Sequence, residues 1–247
     1  MKNIIFILLF FPLYCTSQIA TVEDGNFKLH KPLGKNIRVE YPLITTNNTK
    51  TDSIINKSIK TVLYIYDSTL IDKPVSRILD SMINDGYTDI TNDINYNKNG
   101  ILSLSINFEY YGAYISNQSY YLNFDLITGA IISLKDIFTS EYLEILKKTI
   151  VIDRMLQREK YKEELNKDLK KRRLTQEEYD WVIKEIDNCP DIVEQLNFII
   201  TKDYVEIEAP CDFPHAIQAY APLFELKYNW QKIKEGLNDT YKKKLLK

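Results

Sequence analysis

The sequence contains few of the residues on which recognisable catalytic motifs depend. Among 247 residues there are two histidines, three cysteines and seven glycines. So few glycines argue against a glycine-rich phosphate loop, and no H-x-x-x-H or C-x-x-C spacing supports a metal site. No G-x-S-x-G sequence provides a serine nucleophile. We therefore expect a non-catalytic protein with no metal and no cofactor.

An excess of charge of one sign is also missing. The formal net charge is −2 and the isoelectric point is near 5.8, so nothing in the charge favours nucleic-acid binding. The chain is 45% hydrophobic and 27% charged, which is enough apolar content for a sizeable core. Eighteen tyrosines against two tryptophans favour β-structure and amphipathic surfaces.

Long hydrophobic runs are limited to one, Ile4–Leu13, which is shorter than the roughly 20 residues that a membrane span needs. Lys2 precedes this run and Cys15-Thr16-Ser17 follows it, the pattern of an export signal over residues 1–17. A lipoprotein anchored through Cys15 is disfavoured because bulky Tyr14 precedes the cysteine. We expect a periplasmic or secreted protein with no membrane span once the signal is removed.

Two cysteines, Cys189 and Cys211, remain after the predicted signal. An even pair in an exported chain favours a disulfide, and the alternative is two reduced, buried thiols that never meet. The bridge would connect a helical region to C-terminal strands. A loop of about 20 residues closed in this way contributes about 3 kcal/mol in the chain-entropy model.

The clearest secondary-structure pattern lies in the middle of the chain. Apolar and polar residues alternate over Ile101–Phe108, which is typical of a half-buried strand. A second run rich in aromatic and branched residues, Tyr120–Ile127, ends in the turn signal Thr128-Gly129. Asp136-Ile137-Phe138 then precedes a helical segment, so we predict a β-meander followed by a helix.

The preceding residues give weaker patterns. We predict a tail or linker over 18–35 and a strand over 36–46 that Pro42 confines to an edge or a bend. Helices are predicted over 51–66 and 74–83, and a loop, with a short strand as the alternative, over 86–100. The cap of the first helix is expected at Asp52 or Thr51, and the second helix starts with a proline in its first turn.

The later residues predict a helical block and then strands. A long charged helix, or two helices broken near 157–161, runs from Glu141 to about Arg173. Thr175 and Glu178 form a capping box that starts the next helix. We then predict strands over 197–201, 204–208 and 217–228, a helix over 230–237 and a basic tail over 238–247.

This order of elements predicts an α+β fold, in which an antiparallel β-sheet is packed by helices and a long charged helical insertion lies around 140–187. We expect one module over 36–237, with a division into 36–95 and 96–237 as the alternative.

Tyrosines surround the turn-like segment 112–118. The aromatic side chains there, together with a neighbouring amide, form a candidate binding surface for a sugar or a protein partner. Its members are Tyr110, Tyr111, Tyr114, Tyr120 and Asn117. Because side chains alternate along a strand, about half of these tyrosines are expected to pack on the core.

A second candidate site is the segment Cys211–Ala216. Asp212 and His215 lie three residues apart and form a possible acid/base pair or binding pair. The simpler interpretation is a structural histidine with local hydrogen bonds.

Three stretches together resemble a known exported bacterial module. They are Tyr41-Pro42 with Ile55–Ile59, the segment Asn123–Phe138 with its D-x-x-T-G and L-K-D-I-F motifs, and Phe198–Ile207 followed by Phe213–Ala216. The pattern is similar to the paired domains of unknown function in lysozyme-sensing anti-sigma factors, which also accompany a secreted peptidoglycan deacetylase. Relatives often carry a Gly-Gly-x-His-like turn where this chain has Tyr111-Gly112-Ala113-Tyr114.

The resemblance implies the non-catalytic module, because the deacetylase domain and the sigma-binding segment are not found in this sequence. We therefore expect an exported binding or sensing module for an envelope polysaccharide, or for a protein ligand such as lysozyme. The alternatives are an envelope hydrolase or deacetylase that uses Asp212 and His215, and a structural envelope protein that docks through the helix Glu141–Arg173.

Overall fold

The computed structural model describes residues 18–25, 27, 29, 37–64, 68–70, 72–112, 115–189, 197–208, 210–211 and 213–246, with only the backbone at 64 and 215. The predicted export signal therefore lies outside the described residues. The fold is α+β, as predicted.

The first half is built on a four-stranded sheet in the order β2-β4-β5-β6. Its long strands form an antiparallel meander, and the short β2 lies parallel to β4. A separate two-stranded ribbon pairs β1 with β3. The bounds are β1 Thr21–Asp24, β2 Arg38–Val39, β3 Pro42–Thr45, β4 Tyr87–Lys98, β5 Ile101–Tyr111 and β6 Ile115–Asp125.

Two of these strands correct the sequence prediction. The prediction of a loop with at most a short strand over 86–100 is wrong, because 12 of these residues form the long strand β4. Its asparagines bond to the backbone of distant segments: Asn92 donates to the carbonyl of Glu40 at 2.6 Å, and Asn97 to that of Ala20 at 2.7 Å. The predicted tail over 18–35 likewise contains β1. β4 pairs mainly with β5, which follows it across the turn Asn99-Gly100, where both residues have positive φ as in a tight hairpin. β1 instead depends on β3, which no local pattern indicates.

Two helices, α1 (Thr49–Tyr64) and α2 (Val75–Asn84), pack on one face of this sheet. The cap of α1 is Asn48, whose side-chain oxygen accepts from the amides of Lys50 and Thr51, so the predicted caps Asp52 and Thr51 are wrong. The core between helices and sheet includes Ile55, Ile59, Leu63, Ile78, Leu79, Leu104 and Ile106.

The second half is organised around a 31-residue helix, α4 (Ser140–Lys170), which continues through 157–161 without a break. The short α3 (Leu134–Ile137) precedes it, and α5 (Gln176–Asn188) follows with the predicted capping box of Thr175 and Glu178. A three-stranded sheet in the order β7-β8-β9 packs on α4. Its strands are β7 Asn197–Ile200, β8 Tyr204–Glu208 and β9 Glu225–Asn229.

The C-terminal residues differ from the prediction in two places. The predicted strand 217–228 is a 3-10 turn, His215–Tyr220, followed only later by β9. The predicted basic tail is a helix, α7 (Asp239–Leu245), which follows the single turn α6 (Trp230–Ile233). It is ordered because Tyr241 and Leu245 are buried in the second core.

Candidate functional site

The candidate site lies at the end of the four-stranded sheet where β5 approaches β6. The register pairs Tyr110 with Ser116 and Phe108 with Gln118, so these four side chains point to the same face. At the opposite end of this face the side chains are covered by α1 and α2. Here the sheet extends beyond the helices, and Tyr110 is 37% exposed.

These side chains, together with Asp85 and Tyr87, line a cleft of about 360 Å³, which we call the aromatic cleft. The ring of Tyr87 lies edge-on to Tyr110 with centroids 5.3 Å apart, and edge-on to Phe108 at 6.2 Å. Such edge-to-face contacts fix the three rings relative to each other. The volume is at the lower end of the range for small-ligand pockets.

Two glycines make room for the Tyr110 ring. A methyl group on Gly112 would lie 2.5 Å from a ring carbon of Tyr110, and one on Gly86 would lie 3.2 Å from another. Gly86 also has φ of +107°, a backbone conformation that favours glycine, and its carbonyl accepts from the amide of Tyr111 at 2.8 Å. The position of Tyr110 is therefore determined by the backbone on both sides of its ring.

The cleft combines apolar ring surface with polar groups. Burial, the neighbouring Tyr110 and the charge of Asp85 raise the pKa of Tyr87, so its hydroxyl stays protonated at neutral pH. The carboxylate of Asp85 and the amide of Gln118 add an acceptor and a donor–acceptor pair. The site can hold a ligand by ring stacking and hydrogen bonds, and the lining residues that the structure describes include no nucleophile–base pair.

The structure separates the tyrosines that the sequence grouped together. Tyr110 lines the cleft, while Tyr120 packs beside it against Phe108, with centroids 5.7 Å apart. Tyr111 and Asn117 are exposed on the opposite face of the sheet. The remaining member of the predicted surface, Tyr114, lies outside the described residues.

The opposite face of the sheet carries a network of polar side chains. Thr88 donates to Glu109 at 2.8 Å, and Ser119 donates to Asn107 at 2.8 Å. Asn107 in turn donates to Asp93 at 2.8 Å. These bonds tie the three strands together through side chains, next to the exposed pair Tyr111 and Ile115 at the end of the sheet.

Sequence reasoning missed Asp85, Tyr87 and Phe108 as parts of the site. Tyr87 begins β4, which the sequence predicted as a loop, and Asp85 is in the turn before it. Gly86 immediately before Tyr87 was a usable signal, because it marks a turn that leads into a strand.

The second predicted site remains a prediction. Asp212 and the side chain of His215 lie outside the described residues, and the backbone at His215 begins a 3-10 turn. Within the described residues, no group of three or more His, Cys, Asp or Glu side chains is arranged to hold a metal. None of the helices described is long and apolar enough to cross a membrane.

The predicted disulfide between Cys189 and Cys211 is confirmed. Beside it lies Arg154 of α4, which is only 2% exposed and was not predicted from the sequence. Its guanidinium donates to the sulfur of Cys189 at 2.9 Å and to the carbonyl of Pro210 at 3.1 Å. The bridge and this arginine connect α4, the end of α5 and the segment after β8, away from the aromatic cleft.

Together the fold and the cleft define an α+β protein with an open aromatic cleft at one end of an antiparallel sheet. No protein-family model matches the chain, and no curated protein matches it in sequence. Its fold is similar to the crystal structure of a DUF3298 family member from Bacteroides fragilis, with a TM-score of 0.51 and 17% identity over 90% of this chain and 93% of that one. A DUF3298 family protein from Pseudomonas aeruginosa aligns with a TM-score of 0.48 and 12% identity over 91% and 93%.

The first of these likenesses shows a shared fold with a family of unknown function. This shared fold supports the part of the sequence prediction that assigned the chain to an uncharacterised domain family.

Proposed function

We propose that this protein is an exported, non-catalytic binding module that holds a ligand of the cell envelope, or a protein such as lysozyme, in the aromatic cleft. The observation that carries the proposal is the exposed ring of Tyr110 beside Tyr87, with Asp85 and Gln118 at the rim. Rigid aromatic rings with a few convergent polar groups are typical of binding sites.

Two further features support an exported binding protein. The disulfide is of a kind that persists in oxidising compartments, in agreement with the export signal predicted over residues 1–17. The sequence resemblance to the non-catalytic module of lysozyme-sensing anti-sigma factors adds the class of ligand, which we carry over as part of the proposal.

The experiment is a pull-down with the mature chain as bait against peptidoglycan fragments, lysozyme and an envelope extract. We expect at least one component to be retained, and we expect Tyr110→Ala to lose it. The matched control is Tyr111→Ala, which removes a neighbouring tyrosine that is 63% exposed on the other face of the sheet. Absence of any retained component, or equal retention by both variants, would contradict the proposal.

A second candidate function, docking through the long helix, is favoured by one observation on α4. Ile145, Ile152 and Leu156 are each more than half exposed and form a stripe separate from the one that contains the buried Leu146 and Ile150. A wholly polar surface would have argued against docking, and this surface is not polar.

We propose a second copy of this chain as the occupant of that helix surface. Lys148 and Glu159 flank the apolar stripe on the same side, so each would face the other's charge in an antiparallel pair of α4 helices. Sedimentation equilibrium tests this idea. We expect a dimer that Ile152→Glu makes monomeric, whereas a monomeric wild type at the highest soluble concentration would exclude it.

A further inference from the structure

The outer strand of the four-stranded sheet, β6, has an edge that lies beside the aromatic cleft. The carbonyl of Asn123 accepts from the amide of Ile132, and the amide of Asp125 donates to the carbonyl of Ala130. Odd-numbered residues of β6 therefore direct their backbone groups away from β5. The pairing with β5 continues without a register shift. The backbone N–H and C=O groups of Asn117, Ser119 and Tyr121 therefore also point away from β5, toward the open edge.

The backbone groups of these three residues make no hydrogen bond outside β6 in the described part of the chain. Beyond Tyr121 the edge is covered by the segment 130–132. The open part of the edge is thus about five residues long, from Asn117 to Tyr121, and it presents alternating N–H donors and C=O acceptors.

This edge also lacks the features that usually protect exposed strands. No charged residue and no proline occurs from Ile115 to Phe124. Natural sheets commonly carry lysine, proline or a bulge at such an edge, because an unprotected one pairs with other chains. β6 has none of these along its open part.

We infer that the partner held at the aromatic cleft presents an extended peptide segment, which pairs with the open edge of β6 as an added strand. The inference rests on the proposed function and specifies the class of ligand for the same site. Ser116 and Gln118 belong both to β6 and to the cleft, so a strand paired with β6 lies next to this rim of the cleft, with β6 between it and Tyr110 of β5.

The two faces of the sheet determine the side chains that such a peptide carries. Alternate residues of an added strand point to opposite faces, so one set lies next to Ser116 and Gln118 at the rim of the aromatic cleft and the other next to Asn117 and Ser119, beyond which Glu109 lies on β5. Asp85 gives the cleft side a carboxylate, and Glu109 gives one to the polar side. The expected peptide alternates apolar or aromatic residues with polar or basic ones.

The test begins with selection of binders from a display library of random twelve-residue linear peptides, with the disulfide-containing mature chain as target. An enriched peptide is synthesised, and its dissociation constant is measured for the wild type, Ser119→Pro and Ser119→Val. Proline removes the N–H of residue 119 that points to the open edge, and an edge strand tolerates proline at such a position. Valine keeps that N–H, and both variants lose the same hydrogen bond from Ser119 to Asn107.

We expect Ser119→Pro to bind the peptide at least about tenfold more weakly, and Ser119→Val to bind within about threefold of wild type, because one or two backbone hydrogen bonds are worth roughly that difference. Amide exchange measured by NMR provides an independent readout. The amides of Asn117, Ser119 and Tyr121 should become protected when the peptide binds, while that of Gln118 is already protected in the free protein.

The inference is overturned if no peptide is enriched, if Ser119→Pro binds as well as Ser119→Val, or if the outward amides gain no protection. These outcomes are separate from failure of the proposed function. If Tyr110→Ala loses the envelope component while Ser119→Pro retains it, the cleft binds its ligand without strand pairing.

Discussion

Asn123 of β6 donates a 2.8 Å hydrogen bond to the carbonyl of Phe198 in β7, and this bond joins the four-stranded sheet to the three-stranded sheet. Asn123 is only 3% exposed. Beside it, the hydroxyl of Ser103 accepts from the amide of Ile200 at 3.1 Å. Asn123 and Ser103 of the four-stranded sheet thus provide hydrogen-bond partners for backbone groups of β7, the edge strand of the three-stranded sheet.

The first prediction concerns this junction. We expect Asn123→Leu to lower the free energy of unfolding by about 2 kcal/mol, because the buried carbonyl of Phe198 loses its donor. Urea denaturation followed by circular dichroism measures the change. Asn117→Leu is the control on an exposed site of the same strand, where we expect a change within about 0.5 kcal/mol. Equal losses in the two variants would show that Asn123 carries no such role.

The second prediction concerns the ion pair between Asp125 and Lys244, 2.7 Å apart and 119 residues apart in sequence. Burial of Asp125 favours its neutral form, but Lys244 and the amides of Thr128 and Ile127 outweigh it, so the pKa of Asp125 is lowered. The pair therefore contributes its full stabilisation at pH values above about 3.9, the pKa of Asp125 in the unfolded chain. This stabilisation is lost as the pH falls through the lower pKa that Asp125 has in the folded protein.

We expect Lys244→Met to lower the free energy of unfolding by about 2 kcal/mol at pH 7, which is the contribution of a hydrogen bond to a charged group. The difference from wild type should shrink as the pH falls below about 4. Chemical denaturation at a series of pH values measures it. Lys243→Met, one residue earlier on α7, is the control. A difference that stays constant with pH would contradict this account.

The third prediction concerns Glu208, which accepts a hydrogen bond from the hydroxyl of Tyr121. Burial raises the pKa of Glu208, and the charge of Glu225 adds to this, while the bond from Tyr121 partly opposes it. The folded state therefore binds this proton more tightly than the unfolded state. Stability falls as the pH rises from about 4.3, the unfolded value, through the higher folded pKa.

Glu208→Gln keeps an oxygen acceptor for Tyr121 and removes the charge. We expect this variant to be more stable than wild type at pH 7, with the advantage absent below about pH 4. Thermal denaturation at pH 4 and at pH 7 provides the comparison. If the variant is less stable than wild type at pH 7, ionised Glu208 is stabilising and the prediction is wrong.

The fourth prediction concerns the disulfide. Its cysteines are 22 residues apart, so replacing both with serine should lower the free energy of unfolding by about 3 kcal/mol in the chain-entropy model. Urea denaturation with and without a dithiol reductant measures the change. The wild type should lose stability on addition of reductant, whereas the double variant should be unaffected, and a reductant-insensitive wild type would contradict the prediction.

Several elements followed from short-range patterns in the sequence. The capping box of Thr175 and Glu178, and the alternation that predicted a strand at Ile101–Phe108, involve residues within a few positions of each other. The strand is not half-buried as predicted, because Ser103 and Ser105 on its polar face are buried as well. The α+β class and the bridge between Cys189 and Cys211 also followed, because composition and an even cysteine pair restrict the alternatives. These predictions succeeded because the contacts are local or the residue type allows few partners, although the cap of α1 at Asn48 is also local and was assigned to the wrong residues.

The tertiary structure alone decided the rest. β1 is a strand because it pairs with β3, and α7 is ordered because Tyr241 and Leu245 are buried against a distant core. The aromatic cleft itself was hidden for the same reason. Tyr87 and Tyr110 meet across a strand pairing between residues 23 positions apart, and only the register of that pairing brings their rings to one face.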